Sequence, residues 1–475
     1  MGNFSSRRER EEMQELLSAY QNLKAGRAAS FLEEEDFERV INYFDDKEDV
    51  PAALEAATIG LEHFPFAAQL MYRKADFLIA QHHYEEALAL LETAGLYDHT
   101  DISLYILKTD AYLALEEPEK AAHILEEALD LFEGEERIEL LFELADVYDD
   151  YEDFQKVFDC LKLILEEDPN NEEALLKICF WADFTGRSEE SIRLHQWITD
   201  EHPFNELAWF NLATAYQGLK LYEKAIDAYQ YALAIDEKLD IAYRNMGDAY
   251  IRLRKFKDAI ECLEKVLELS RPEDVIYEAI GHCYHKMENY TQARFYYRKS
   301  SHINPEDSRI YYKIAVTYYR QSKFDKAIKQ LEVAMKWQPN QPEFHLLKGD
   351  CFMQIDRLRE AAQSYAAVVK AKPRNLRGQE ALIGCLLQGE FYEEAYAQSL
   401  EALELTRQNP LFLYTMSAAL FGLGKIKEAL HQLETALSAH PQGFKKMVDM
   451  VPGLLQIPRV VELANHYLKK KKSKK

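Results

Sequence analysis

The sequence predicts an all-α chain built as a solenoid of antiparallel helix pairs, and three observations predict it. Pro169, Pro203, Pro305, Pro339, Pro373 and Pro441 are separated by multiples of 34 residues. In a frame of that length, alanine fills the twentieth place in ten of twelve successive segments. Glycine and proline, 17 and 14 of 475 residues, are too scarce for short strands and tight turns, whereas 29 tyrosines and 24 phenylalanines supply bulk for helix packing.

The segments begin at Glu34, Ala68, Ile102, Ile138, Glu172, Glu206, Asp240, Asp274, Ser308, Pro342, Leu376 and Pro410, and only the third is long, by two residues around Gly134. Their twentieth places run Ala53, Ala87, Ala121, Val157, Ser191, Ala225, Ala259, Ala293, Ala327, Ala361, Ala395 and Ala429. The eighth place is mostly small (Ala75, Ala145, Ala213, Gly247, Gly281, Ala315, Gly349, Ser417). Small residues at these two places let the backbones of two antiparallel helices approach closely, while other places supply bulk. The eleventh place is usually large, as in Phe44, Tyr112, Tyr148, Tyr216, Tyr250, Tyr284, Tyr318 and Phe352.

The sixth segment carries Trp209, Leu212, Ala213, Tyr216, Ala225, Tyr229 and Ala232, with Glu237 where proline is usual. On these residues the chain resembles the tetratricopeptide-repeat family over residues 34 to about 443, in twelve in-frame repeats. The resemblance implies a right-handed superhelix of stacked helix pairs with a concave groove. Each pair cannot bury its apolar face alone, so neighbours stack and the ends need caps. Residues 1–33 are expected to hold an N-terminal capping helix, with Met13, Leu16, Leu17, Tyr20 and Leu23 at helical spacing. Residues 34–443 hold the repeats. Residues 444–468 are expected to form C-terminal capping helices after Pro452 and Pro458, using Val460, Val461, Leu463, Ala464 and Leu468, and 469–475 form a basic tail.

Charge divides the chain. Residues 1–240 carry 20 Lys/Arg against 55 Asp/Glu, a net −35, and residues 241–475 carry 37 against 27, a net +10. An acidic chain is poorly suited to general nucleic-acid binding, where attraction to phosphate supplies most non-specific affinity. The six cysteines never form a CxxC pair and read as reduced packing residues. With no apolar run long enough for a secretory signal or a membrane span, the expected setting is the cytoplasm.

If places 4, 7, 8 and 11 of each first helix face its partner helix, a 100° step per residue puts places 2, 6, 9 and 13 on the opposite side. The resemblance makes that side the groove. In the fourth repeat these places are Glu139, Glu143, Asp146 and Asp150, either a dock for a basic peptide or a solvated face of a very acidic half. In the ninth they are Arg309, Lys313, Val316 and Arg320, with Arg252 and Lys286 at the thirteenth place of the two preceding repeats. Arg309 and Lys313 resemble the pair with which some family members grip a terminal carboxylate, but Asp248 and Ala279 stand where asparagine is needed. The basic half therefore reads as a groove for acidic peptide or as a solvated face. Asn211 and Asn245, both at the sixth place, suit a short amide ladder along an extended peptide. Phe180 and Phe184, four apart, either bury an apolar ligand side chain or pack on the neighbouring repeat.

His282 and His285 flank Cys283 without the two further ligands of a closed zinc site, and no Gly-rich phosphate loop, GxSxG or HExxH occurs. Neither a catalytic site nor a metal or other cofactor is expected. Met1-Gly2-Asn3-Phe4-Ser5-Ser6 fits the N-myristoylation pattern, with Arg7, Arg8 and Arg10 as a second, electrostatic membrane signal, but the pattern is short. The expected function is a scaffold that binds protein or peptide partners in its groove. The alternative is a structural subunit of a larger assembly, held through its convex faces and edges.

Overall fold

Where proline and asparagine fall between successive 34-residue segments, they separate one helix pair from the next. Proline at the thirty-second place forces the residue before it out of helical backbone. Asp168, His202 and Lys372, at ψ 91°, 70° and 83°, accordingly end their helices. Two residues after each of these prolines an asparagine caps the next helix. Asn171, Asn205 and Asn375 accept hydrogen bonds from the N–H groups of Ala174, Ala208 and Gly378 at 3.0, 2.8 and 3.1 Å. The computed structural model describes residues 7–27, 31–406 and 409–472. The Gly2 pattern and the end of the basic tail lie outside the described residues, as do the side chains of Arg7, Arg8, Arg10 and residues 469–472.

Between Glu34 and Ala439 the structure has twenty-four helices in twelve consecutive pairs, and no strand forms among the described residues. Ten of the twelve first helices begin at the residue the frame assigns. The exceptions are Ser103–Ala114, one residue late, and Glu135–Asp150, three early, where Gly134 at φ +64° lets the two extra residues wind into an additional helical turn. Ala225, Ala259 and the eight other alanines of the twentieth place are wholly buried, as are, within 2%, Val157 and Ser191. The eighth place explains its own small residues. A Cβ on Gly281 would lie 2.6 Å from the Tyr297 ring, and one on Gly247 3.1 Å from Leu263.

The turn inside each pair carries a feature absent from the sequence reading. From Glu48 to Gly424, the fifteenth place of all twelve segments has φ between +56° and +73°, and only Gly186 and Gly424 there are glycine. In every case the N–H of the next residue donates to the carbonyl of the eleventh place at 2.8 to 3.0 Å, as in Asp49 to Phe44 and Asn289 to Tyr284. This is the left-handed helix cap. Its hydrogen bonds hold ten non-glycine residues in a conformation that costs an L-residue roughly 1–2 kcal/mol.

Contacts divide the chain after Ala242 into two units. In the first, the six pairs that begin between Glu34 and Glu206 stack, and helix Arg7–Lys24 buries Met13, Leu16 and Tyr20 against the first. In the second, the pairs from Asp274 to Ala439 stack in the same way. Helix Pro458–Lys472 there buries Val460 and Ala464 on the last pair, with Leu463 half-buried beside them. All six cysteines are free and five are buried, and burial pushes the thiols of Cys160, Cys262, Cys283 and Cys351 up to about 12.

Candidate functional site

Helix Glu135–Asp150 buries Leu140, Leu141, Leu144 and Tyr148 and thereby turns Glu139, Asp146 and Asp150 to solvent, with Glu143 half-buried. Burial, followed by the charges of Asp110, Asp146 and Glu139, raises the Glu143 carboxyl above the ordinary range. Asp110 is raised by burial and by Asp76, and Asp76 by burial and by Asp45, against the opposing charge of Arg73. Carboxylates from four consecutive repeats therefore sense one another. Asp76, Asp110 and Asp146 all occupy the ninth place, so the signal was available in the frame. The row runs across three successive first helices, at right angles to the stripe Glu139, Glu143, Asp146 and Asp150 along one of them. Two cations enter this row. Arg73 bridges Asp45 at 2.7 Å and Asp76 at 3.6 Å, and Lys177 reaches Asp146 at 3.9 Å while bonding Glu173 at 2.8 Å.

The next first helix, Glu172–Phe184, points Ala174, Leu175, Ile178 and Ala182 into the core. That leaves Leu176, Phe180 and Phe184, at i, i+4 and i+8, exposed to 61%, 60% and 59%. Phe180 stacks on Phe184 at 5.8 Å, and Phe184 meets Trp181 and Phe154 edge-on at 5.8 and 5.1 Å. Phe184 does touch the neighbouring repeat through Phe154, yet most of the surface of both phenylalanines stays open. At the ninth and thirteenth places of the following repeat stand Thr214 and Gly218, too small to cover them. Leu176 was not singled out in the sequence, although its i+4 spacing from Phe180 marks it.

The asparagine ladder requires correction. Asn211 is buried and its amide is already spent, donating to the Leu175 carbonyl at 2.8 Å and to Nε2 of His195 at 3.3 Å. His195 is fully buried, and its Nδ1 lies 2.8 Å from the Ser191 carbonyl, which makes Nδ1 the protonated nitrogen and Nε2 the acceptor. Burial pushes this imidazole down to about 4. Asn211 thus ties its repeat to the preceding one. Asn245 is half-buried and belongs to the other unit.

In residues 243–475 most of the expected cations have partners. Arg252 pairs with Asp248 at 3.4 Å, Arg309 with Asp307 at 3.3 Å, and Lys313 with Glu278 of the preceding repeat. The pair that resembles a carboxylate grip is therefore engaged on both sides by carboxylates of the chain itself. Lys286 and Arg320 are exposed. Burial and then the charges of Lys286 and Lys313 lower His282, while burial, His282, Lys286 and Arg320 lower His285, so these side chains do share one neighbourhood. No group of three or more metal-capable side chains occurs among the described residues, and no helix there is long and apolar enough to cross a membrane.

Residues 41–98 match the model of the tetratricopeptide repeat, and residues 200–359 match that of the C-terminal ARM domain of tetratricopeptide repeat protein 21. Over these two stretches the chain carries tetratricopeptide repeats. A search of curated proteins returns no match. Among solved structures, the chain is similar to a C-terminal part of a repeat protein from Cytophaga hutchinsonii, at 17% identity over 51% of this chain and 99% of that one, with a TM-score of 0.45. It is also similar to YrrB, described as having an unusual peptide-binding site, at 18% identity over 39% and 96% with a TM-score of 0.35. A third is the Cut9–Hcn1 hetero-tetramer of APC/C, at 12% identity over 82% and 97% with a TM-score of 0.33.

Proposed function

We propose that this chain is an interaction scaffold that takes segments of partner proteins along the first-helix face of its repeats. The exposed row Leu176, Phe180 and Phe184 carries the reading. Large contiguous apolar patches are rare on monomers and mark interaction sites. A partner that covers this row gains roughly 25 cal/mol for each Å² of apolar surface withdrawn from water. A second reading, a subunit held in an assembly through its edges, is favoured by Phe66, Leu96 and Phe204, which stand exposed in loops that join successive pairs. A photo-crosslinking residue at position 180, compared with one at position 204, tests the choice in the source cell. Partner capture from 180 is expected. Capture from 204 alone would replace the groove by the edge.

A further inference from the structure

The row Leu176–Phe180–Phe184 lies beside a strongly charged one. Its helix follows Glu135–Asp150 in the stack, and Phe180 and Phe184 hold the same two places, ninth and thirteenth, as Asp146 and Asp150. Lys177, one residue on from Leu176, spans the two helices, with its ammonium 3.9 Å from Asp146 and 5.2 Å from the Phe142 ring centre. On the far side of Asp146 the acidic row continues through Glu143, Asp110 and Asp76. Three large apolar groups over about 12 Å of helix thus run along the border of a field that Lys177 and Arg73 only partly neutralise, in a unit of net charge −35. An acidic or neutral occupant would leave those carboxylates repelled or desolvated without a partner. An occupant with Lys or Arg on one flank and apolar side chains on the other satisfies both rows.

We propose that this face docks a basic amphipathic segment of a protein partner, its apolar side chains on Leu176, Phe180 and Phe184 and its cations over Asp146, Asp150 and the carboxylates beyond. The assignment deepens the groove reading and rests on it. Fluorescence anisotropy of the full chain with labelled 18-residue synthetic helices tests it. The probes are a Leu/Lys amphipathic peptide, its Leu/Glu counterpart, and a version with serine for every leucine. The Leu/Lys peptide is expected to bind at least tenfold more tightly than either of the others, and less tightly as salt rises. Phe180→Ser/Phe184→Ser and Asp146→Lys/Asp150→Lys should each weaken it about tenfold with the helical circular dichroism unchanged. Glu85→Lys/Glu86→Lys, which removes the same charge from an exposed site elsewhere in the unit, should change it less than twofold. Equal binding of the Leu/Glu peptide, or equal losses in all three double variants, would overturn the basic-segment assignment. Crosslinking from position 180 separates the two failures. A captured segment without basic character sinks only this inference, whereas no capture sinks the groove reading as well.

Discussion

Residues 1–242 and 243–475 build the same helix pairs and spend their surface differently. Both bury alanine at the twentieth place and hold the turn residue left-handed. In the first unit the eighth place is alanine in Ala75, Ala145 and Ala213, and the ninth carries carboxylates such as Asp110, raised by burial and then by the charge of Asp76. In the second the eighth is glycine in Gly247, Gly281 and Gly349, set against Leu263, Tyr297 and Tyr365, and the cations near the ninth are met by Asp248, Glu278 and Asp307. The places that face the partner helix fix the pair, and the places that face away are free to diverge. With a net charge of −35 over residues 1–240 against +10 over 241–475, the first unit presents the stronger field to a ligand.

The largest effect expected follows from the glycine–tyrosine contacts. Gly281→Leu must displace the Tyr297 ring and should cost about 3 kcal/mol or more, because overpacking in a rigid core costs 1–3 kcal/mol even where side chains can give. Urea unfolding measures it, and an unchanged midpoint would break the account of how the second unit packs.

Next in size is an acid sensitivity centred on the fully buried His195 of the first unit. His195 has a folded value near 4 against about 6.5 in an unfolded chain, so the unfolded state binds the extra proton between those values. The stability conferred by the neutral imidazole is complete above pH 6.5 and is lost as pH falls towards 4, by about 3 kcal/mol in all. Hydrogen exchange should show protection lost over helices Glu172–Phe184 to Glu206–Gly218, and His195→Gln should flatten the slope. Protection lost equally in both units would assign the effect elsewhere.

Gly186→Ala and Gly424→Ala sharpen the common part of the comparison. Open space surrounds both α-carbons, so the cost is that of the left-handed backbone alone, about 1 kcal/mol in either unit. Thermal midpoints should fall by similar amounts. The smallest effect contrasts the charged faces. Asp110→Asn should stabilise the first unit by a few tenths of a kcal/mol by relieving its repulsion with Asp76, whereas Arg309→Ala in the second should change nothing measurable. A destabilised Asp110→Asn variant would contradict the crowding of carboxylates.

What was legible in the sequence follows the same division. Proline, the small eighth place and the buried twentieth report constraints that only a few residue types satisfy, and they placed ten of twelve helix starts. The left-handed turn was illegible because its hydrogen bonds accept Glu48, His82, Lys220 or Ser322 alike. On the candidate face, side chains that project freely, such as Glu139, Phe180 and Arg320, lie where the 100° step puts them. Asn211 does not, because a sixth-place amide within reach of His195 and the Leu175 carbonyl gains more from those partners than from water. Pairing across repeats, as in Lys313 with Glu278, depends on side-chain reach between helices that are 34 residues apart in the frame.

Within residues 7–242 each helix packs chiefly on the next helix along the chain or the next but one, so the load-carrying contacts are all short in sequence. Pulled from its ends, such a stack has no long-range contact to rupture at once, and it lengthens by shedding one pair at a time. Each 34-residue pair that opens adds roughly 110 Å of extended chain. Forces applied by a bound partner would thus be absorbed in discrete steps, and the tie between Asn211 and Nε2 of His195, which needs a neutral imidazole, holds its two pairs together more firmly at neutral pH than in acid.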